Sequence, residues 1–215
     1  MARIALEHRR TAFVRLTEFA QRRLYGRALD PVRAMLHNRR VARWYIRAEL
    51  GVTRFRALDH TLADLAVLAT AERIGCSWCV DFGQWEGERR HRVDPDKLRH
   101  VVVCPDPGSA RPEEVAAHDA GHCPLSELER AVVRYARAMS GATCAVTDDQ
   151  VDWLRARLGE ERLVELTMQV AVENLRARFN SALGLVGQGF SDTCEVPLVR
   201  ALAGRGAADR VGDAR

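Results

Sequence analysis

The stretch from Leu58 to Ile74 restricts the possible folds of this chain more than any other. It carries Leu62, Leu65, Ala66, Leu68, Ala69 and Ile74, is helical in length, and shows no alternation of apolar and polar residues. The pattern predicts a helix with a broad buried face. Gly75 breaks it, and Cys76-Ser77-Trp78-Cys79 follows at once. Two cysteines three apart on the first turn of a helix share one face, with their sulfurs within bonding reach. The unpaired N–H groups and dipole of a helix N-terminus favour a thiolate there. A pair placed this way is a redox centre or half of a metal site.

Nearly all of the remaining chain also reads as helix. Leu6 to Tyr25 is amphipathic and is ended by Gly26. Asp30-Pro31 opens a run from Val32 to Leu50, with proline at a first-turn position. Gly83 and Gly87 weaken the second half of the cysteine helix. Residues 101–124, rich in Pro and Gly, read as a loop with one helical turn near Glu113–Ala117. Two capping boxes follow. Ser126 to Glu129 starts a helix to Ser140, and Thr147 to Gln150 starts one to Leu158. A long helix spans Glu161 to Leu185, with Leu163, Leu166, Val170, Leu175 and Phe179 turned inward. Val101-Val102-Val103 is the one short strand-like run. The expected organisation is an N-terminal helical extension over residues 1–55, a helical domain over 56–200 and a flexible tail over 201–215.

With 215 residues, 47% of them hydrophobic, the chain can bury one sizeable core. No run approaches the ~20 uncharged apolar residues that span a bilayer, and the first ten residues carry no apolar signal core. These features predict a soluble, cytoplasmic protein without membrane partners. Six cysteines are too sparse for a disulfide scaffold, and in a reducing compartment they are free, catalytic or metal-bound. Residues 1–60 hold 14 arginines against five acids, a basic quarter that could face nucleic acid. The arginines are spread among apolar residues at helical intervals, without an aromatic-rich basic strand. That pattern fits a solvated or subunit-facing helix surface and no nucleic-acid partner. There is no Gly-x-Gly-x-x-Gly and no Walker-type loop, so no nucleotide or flavin cofactor is expected.

A metal site would need two ligands beyond Cys76 and Cys79. His91, Cys104, His118, His122 and Cys123 are the candidates, but the 38-residue gap from Cys79 to His118 is a poor match to zinc spacing, so no metal is expected. A redox pair instead needs a group to take a thiol proton. Asp64 lies three helical turns before Gly75, where its carboxylate reaches the cysteine helix if the two helices pack side by side. Glu72, Asp81 and Glu86 are rival acids. His91 supplies an imidazole only if the chain folds back. Trp78, Phe82 and Trp85 flank the pair. Glu173, Asn174, Arg176 and Arg178 form a polar group on the last helix.

The segment from Asp64 to Cys79, DLAVLATAERIGCSWC, resembles the core signature of the carboxymuconolactone decarboxylase-like superfamily, and more closely its alkylhydroperoxidase D-like branch. Leu125 to Ala136 resembles the helix after that core, and Glu165 to Gly184 resembles the last helix. The likeness covers roughly residues 30–190. It implies an all-α antiparallel helical bundle that assembles as a homo-oligomer, a trimer or hexamer. It also implies a peroxidase that reduces organic hydroperoxides, with Cys79 attacking the peroxide, Cys76 resolving, and Asp64 at the position of the relay acid. A dithiol reductant, protein or small thiol, would reopen the disulfide. Two departures stand out: the relay acid is Asp64 where the branch has glutamate, and the relay histidine position holds Gly83. Two other readings remain open, a redox-sensing or interaction module of the same fold and a carboxymuconolactone decarboxylase-like enzyme.

Overall fold

A computed structural model describes residues 2–103 and 123–191. Its regular elements are all helices: α1 (Ala12–Tyr25), α2 (Asp30–Met35), α3 (Arg39–Val52), α4 (His60–Ile74), α5 (Ser77–Glu86), α6 (Pro95–Val103), α7 (Glu127–Met139) and α8 (Asp148–Ala182). The expected all-α bundle is what forms, with no strand among the described residues. Within these residues no helix is long and apolar enough to cross a membrane.

Several helix ends fall at residues suited to caps and stops. Thr11 caps α1, and Gly26 closes it at φ 77°. Both capping boxes form, Ser126 with Glu129 at α7 and Thr147 with Gln150 at α8. The run expected from Val32 to Leu50 is divided, because the Asn38 side chain accepts from Arg40 and Val41 N–H and starts α3 anew. The strand-like valines 101–103 are the last turn of α6. Gly159, at φ 77° and ψ 168°, interrupts α8 just after Leu158, where the separate shorter helix was expected to stop.

α4 is the axis of the bundle. Leu65, Ala66, Leu68, Ala69 and Ala71 are at most 1% exposed, so it is apolar on nearly every side and must be surrounded. α5, α6, α7 and α8 pack around it. Residues of α1 to α3 carry a smaller core of their own, Val14, Met35, Leu36 and Ala42, which leans on α8 through Phe179. The expected loop turn at 113–117 and the tail at 201–215 lie outside the described residues.

Candidate functional site

The cysteine pair is built by one turn of backbone. Gly75 leaves α4 in the left-handed region at φ 78° and turns the chain, so that Cys76 becomes the N-cap of α5. Its sulfur takes the place that a serine or aspartate oxygen usually fills: the Cys79 N–H donates to Cys76 Sγ at 3.2 Å. Both thiols are free and buried, Cys76 1% and Cys79 5% exposed. The spacing had placed the two sulfurs together, and they are together.

The ionisation of Cys79 differs from expectation. Burial pushes the Cys79 thiol well above its ordinary value; the neighbouring Cys76 thiol and the Glu173 carboxylate add to the rise. One group opposes it, Asn180, whose Nδ2 donates to Cys79 Sγ at 3.3 Å. The helix N-terminus therefore does not make a resting thiolate here. A thiol stripped of water loses more than partial charges at a helix end return, and Cys79 rests neutral.

Cys79 opens into a cavity of about 890 Å³. Cys76 is not on its wall and sits behind Cys79. The apolar lining comes from α1 to α5, with Phe13, Leu24, Leu29, Ile46, Val67 and Phe82. A polar group from three helices interrupts it. Arg176 on α8 forks onto Glu49 of α3 (Nε–Oε1 2.9 Å, Nη2–Oε2 2.5 Å) and reaches back to Glu173 Oε2 at 3.3 Å. Glu173 is 3% exposed; burial raises its carboxyl above the ordinary range although Arg176 and Cys79 pull it down. Its Oε1 has no hydrogen-bond partner among the described residues.

Asp64 lines the same cavity, and His91 meets it there. Beyond α5 the chain makes a π-helical turn over Gly87–His91 and reverses at Arg92 (φ 59°), which brings His91 Nδ1 to 2.7 Å from Asp64 Oδ2. A Cβ at Gly87 would lie 3.2 Å from Leu98 and 3.4 Å from that same oxygen, so the glycine permits the close approach. Asp64 holds the proton on His91 and raises its pKa; His60 stacks on the imidazole at 4.8 Å. Gly83, where the relay histidine would stand, lies on the cavity wall.

The rival acids are occupied elsewhere. Glu72 pairs with Arg137, and Glu86 with Arg90. Asp81 is fully buried and accepts from the N–H groups of Gln188, Phe190 and Ser191. That link fastens residues 188–191 over the aromatic group of Trp78, Phe82 and Trp85, where Phe190 packs on all three rings. The polar group expected on the last helix divides: Glu173 and Arg176 turn to the cavity, whereas Asn174 and Arg178 bond Ser140 and Gly141 at the end of α7. Of the metal candidates, His91 is held by Asp64 and Cys123 Sγ lies 3.1 Å from His100 Nε2. Cys104, His118 and His122 lie outside the described residues, within which no group of three His, Cys, Asp or Glu is placed to hold a metal ion.

Glu173 and Asn180 were not picked out from sequence as partners of the thiols. A signal for them existed. Leu166, Val170, Glu173, Ala177 and Asn180 recur at intervals of three and four, so an acid and an amide sit on the buried stripe of α8. A polar side chain on such a stripe needs a partner in the interior.

The fold and site together are a helical bundle with a buried thiol pair at the start of a short helix, beside a cavity. The chain has the alkylhydroperoxidase D-like helical fold seen in carboxymuconolactone decarboxylase-like proteins. It superimposes on an uncharacterised peroxidase-related protein from Silicibacter sp. TM1040 with a TM-score of 0.71, over 90% of this chain and 96% of that one, at 11% identity. It superimposes on the apo debrominase Bmp8 with a TM-score of 0.68, over 86% and 91%, at 16% identity. At these identities the likeness concerns the fold. In sequence the chain is 30% identical over 141 residues to the uncharacterised protein YnjA of Escherichia coli K12, which covers 65% of this chain and 66% of YnjA. The chain thus spans just under two thirds of that relative's length. No family model matches it.

Proposed function

We propose that the protein is a thiol-dependent peroxidase that reduces organic hydroperoxides through a Cys76/Cys79 dithiol–disulfide cycle. The observation that carries this reading is the asymmetry of the pair: Cys79 faces the cavity and Cys76 stands behind it, its sulfur against the Cys79 backbone N–H. A hydroperoxide in the cavity meets Cys79 first. The Cys79 thiolate attacks the terminal peroxide oxygen; the O–O bond breaks, the alcohol leaves, and Cys79 becomes a sulfenic acid. Cys76 then displaces the hydroxyl as water and closes a disulfide. A separate dithiol, oxidised to its own disulfide, reopens it. The apolar walls favour an organic peroxide. Asp64 acts in this reading with His91, as a pair that holds a proton beside the bound peroxide. The name of the Silicibacter neighbour, peroxidase-related, agrees with the assignment.

The protein works in this proposal in the cytoplasm, without cofactor, as a homo-oligomer (trimer or hexamer). Leu16, Phe19 and Trp44, apolar side chains left more than half exposed on α1 and α3, support contact with a second copy. The test is a peroxide-consumption assay with an alkyl hydroperoxide and a dithiol reductant. Cys79→Ser should abolish turnover. Cys76→Ser should stop it after one event, leaving a sulfenic acid at Cys79 that a cyclic diketone traps. Consumption unchanged in Cys79→Ser overturns the proposal.

A further inference from the structure

We infer that Glu173 is the proton carrier for Cys79: its Oε1 takes the thiol proton, and returns it to the oxygen that leaves the peroxide. The first half is independent of the peroxidase reading, and the second rests on it.

The geometry works by elimination and by fit. Among the acids considered around the cysteine helix, Glu72 is paired with Arg137, Glu86 with Arg90, and Asp64 with His91. Asp81 has both oxygens filled by donors from residues 188–191. Of this group, Glu173 shares the cavity wall with Cys79 and keeps a buried oxygen that accepts no hydrogen bond among the described residues. A buried polar atom left open at a reactive sulfur calls for an explanation, and a proton in transit is one. Arg176 sets the orientation. It is tied to Glu49 by two bonds and bonds Glu173 only at Oε2, which leaves Oε1 without a partner among the described residues on a side chain that shares the cavity wall with Cys79. Asn180 donates to the sulfur and stabilises it once the proton has gone.

The groups that face Glu173 are Cys79 from α5, Glu49 and Tyr45 from α3, and Arg176 from its own helix. Burial raises both the thiol and the carboxyl. The proton therefore rests on Cys79, and a carboxyl raised by burial is the better acceptor for it as the sulfur reacts. The step balances. The proton moves from Cys79 Sγ to Glu173 Oε1; an S–O bond forms as the O–O bond breaks; the alkoxide takes the proton from Glu173. An alcohol and a sulfenic acid result, and Glu173 is again a carboxylate.

The test is the pH profile of Cys79 alkylation by iodoacetamide, read at that residue by mass spectrometry in a Cys76→Ser background. A thiol that shares its proton with a carboxylate reacts in two steps as pH rises, first when the pair loses one proton and again when it loses the second. The expected profile with Glu173 present has both steps. With Glu173→Gln added it has one, at high pH. A structural role alone would rescale the profile without changing its shape. In otherwise wild-type protein, Glu173→Gln should also lower the peroxide rate by about 100-fold at neutral pH, the usual contribution of a positioned acid–base group. A single-step profile with Glu173 present overturns the inference whether or not the variant folds, as does a two-step profile in Glu173→Gln. If alkylation shows both steps but reduced wild type consumes no peroxide, the peroxidase reading fails and the proton-sharing pair stands.

Discussion

Replacing Asp81 by asparagine asks how the cysteine helix is held in place. The Asp81 carboxylate has no exposed surface. Its Oδ2 accepts from Gln188 N–H at 2.7 Å, and its Oδ1 accepts from Phe190 and Ser191 N–H, each at 2.9 Å, and from the Ser191 hydroxyl at 3.1 Å. An asparagine has one acceptor oxygen where the acid has two. In its better orientation the amide keeps the three donors at Oδ1 and turns an NH₂ toward the Gln188 N–H. One charge-assisted bond is lost, worth roughly 1.5–3 kcal/mol, and a buried donor is left facing another. The remaining bonds weaken with the charge. We expect a loss of about 3 kcal/mol, which for a domain of this length lowers the melting temperature by roughly 6–12 °C. Circular dichroism during heating and urea titration measure it. Gln188 also accepts from Trp78 Nε1 at 2.8 Å, so the variant should change tryptophan emission in the folded state. A stability within about 0.5 kcal/mol of wild type, the range of an ordinary surface change, would refute the reasoning.

Four more substitutions probe the site. Cys79→Ser ends peroxide turnover, whereas Cys76→Ser leaves one trapped oxidation, as set out above. His91→Gln carries a pH signature: Asp64 raises the folded-state pKa of His91 from its ordinary 6.5. A raised histidine contributes stability that is complete below the unfolded value and is lost as pH climbs through the folded one. The stability difference between wild type and His91→Gln should therefore be larger near pH ~6 than near pH ~9, and an equal difference at both would contradict the pairing. Arg176→Met leaves Glu173 facing Glu49 without its cation. Breaking such a buried pair costs roughly 3 kcal/mol, and Glu173 should then take up a proton nearer neutrality, visible by infrared spectroscopy as a protonated carboxyl. A destabilisation below about 1 kcal/mol would show that the pair does not hold the cavity wall.

Much of the fold was legible because its signals are local. Gly26, Gly75 and Gly159 sit at the positive-φ positions that end or interrupt helices, and the Ser126 and Thr147 capping boxes start them. The break at Asn38 is just as local, yet the apolar pattern on both sides hid it, since α2 and α3 both read as one run. The strand-like valines before Cys104 followed composition into the wrong period. At the site, the thiol pair was readable and its charge was not. His91 was twelve residues beyond Cys79 with no visible reason to return; the π-helical turn, opened by Gly87, is that reason.

The sequence by itself determined the helices, the break at Gly75 and the meeting of two sulfurs. An interval of three residues on a helix fixes distance whatever surrounds it. Only the tertiary structure decided that Cys79 rests protonated, that Glu173 rather than a nearer acid stands open beside it, and that Asp64 has an imidazole partner. Desolvation and pairing depend on which distant segments close over a group. α8 reaches the sulfur from about a hundred residues away, where Asn180 donates to Cys79 across 101 positions of chain.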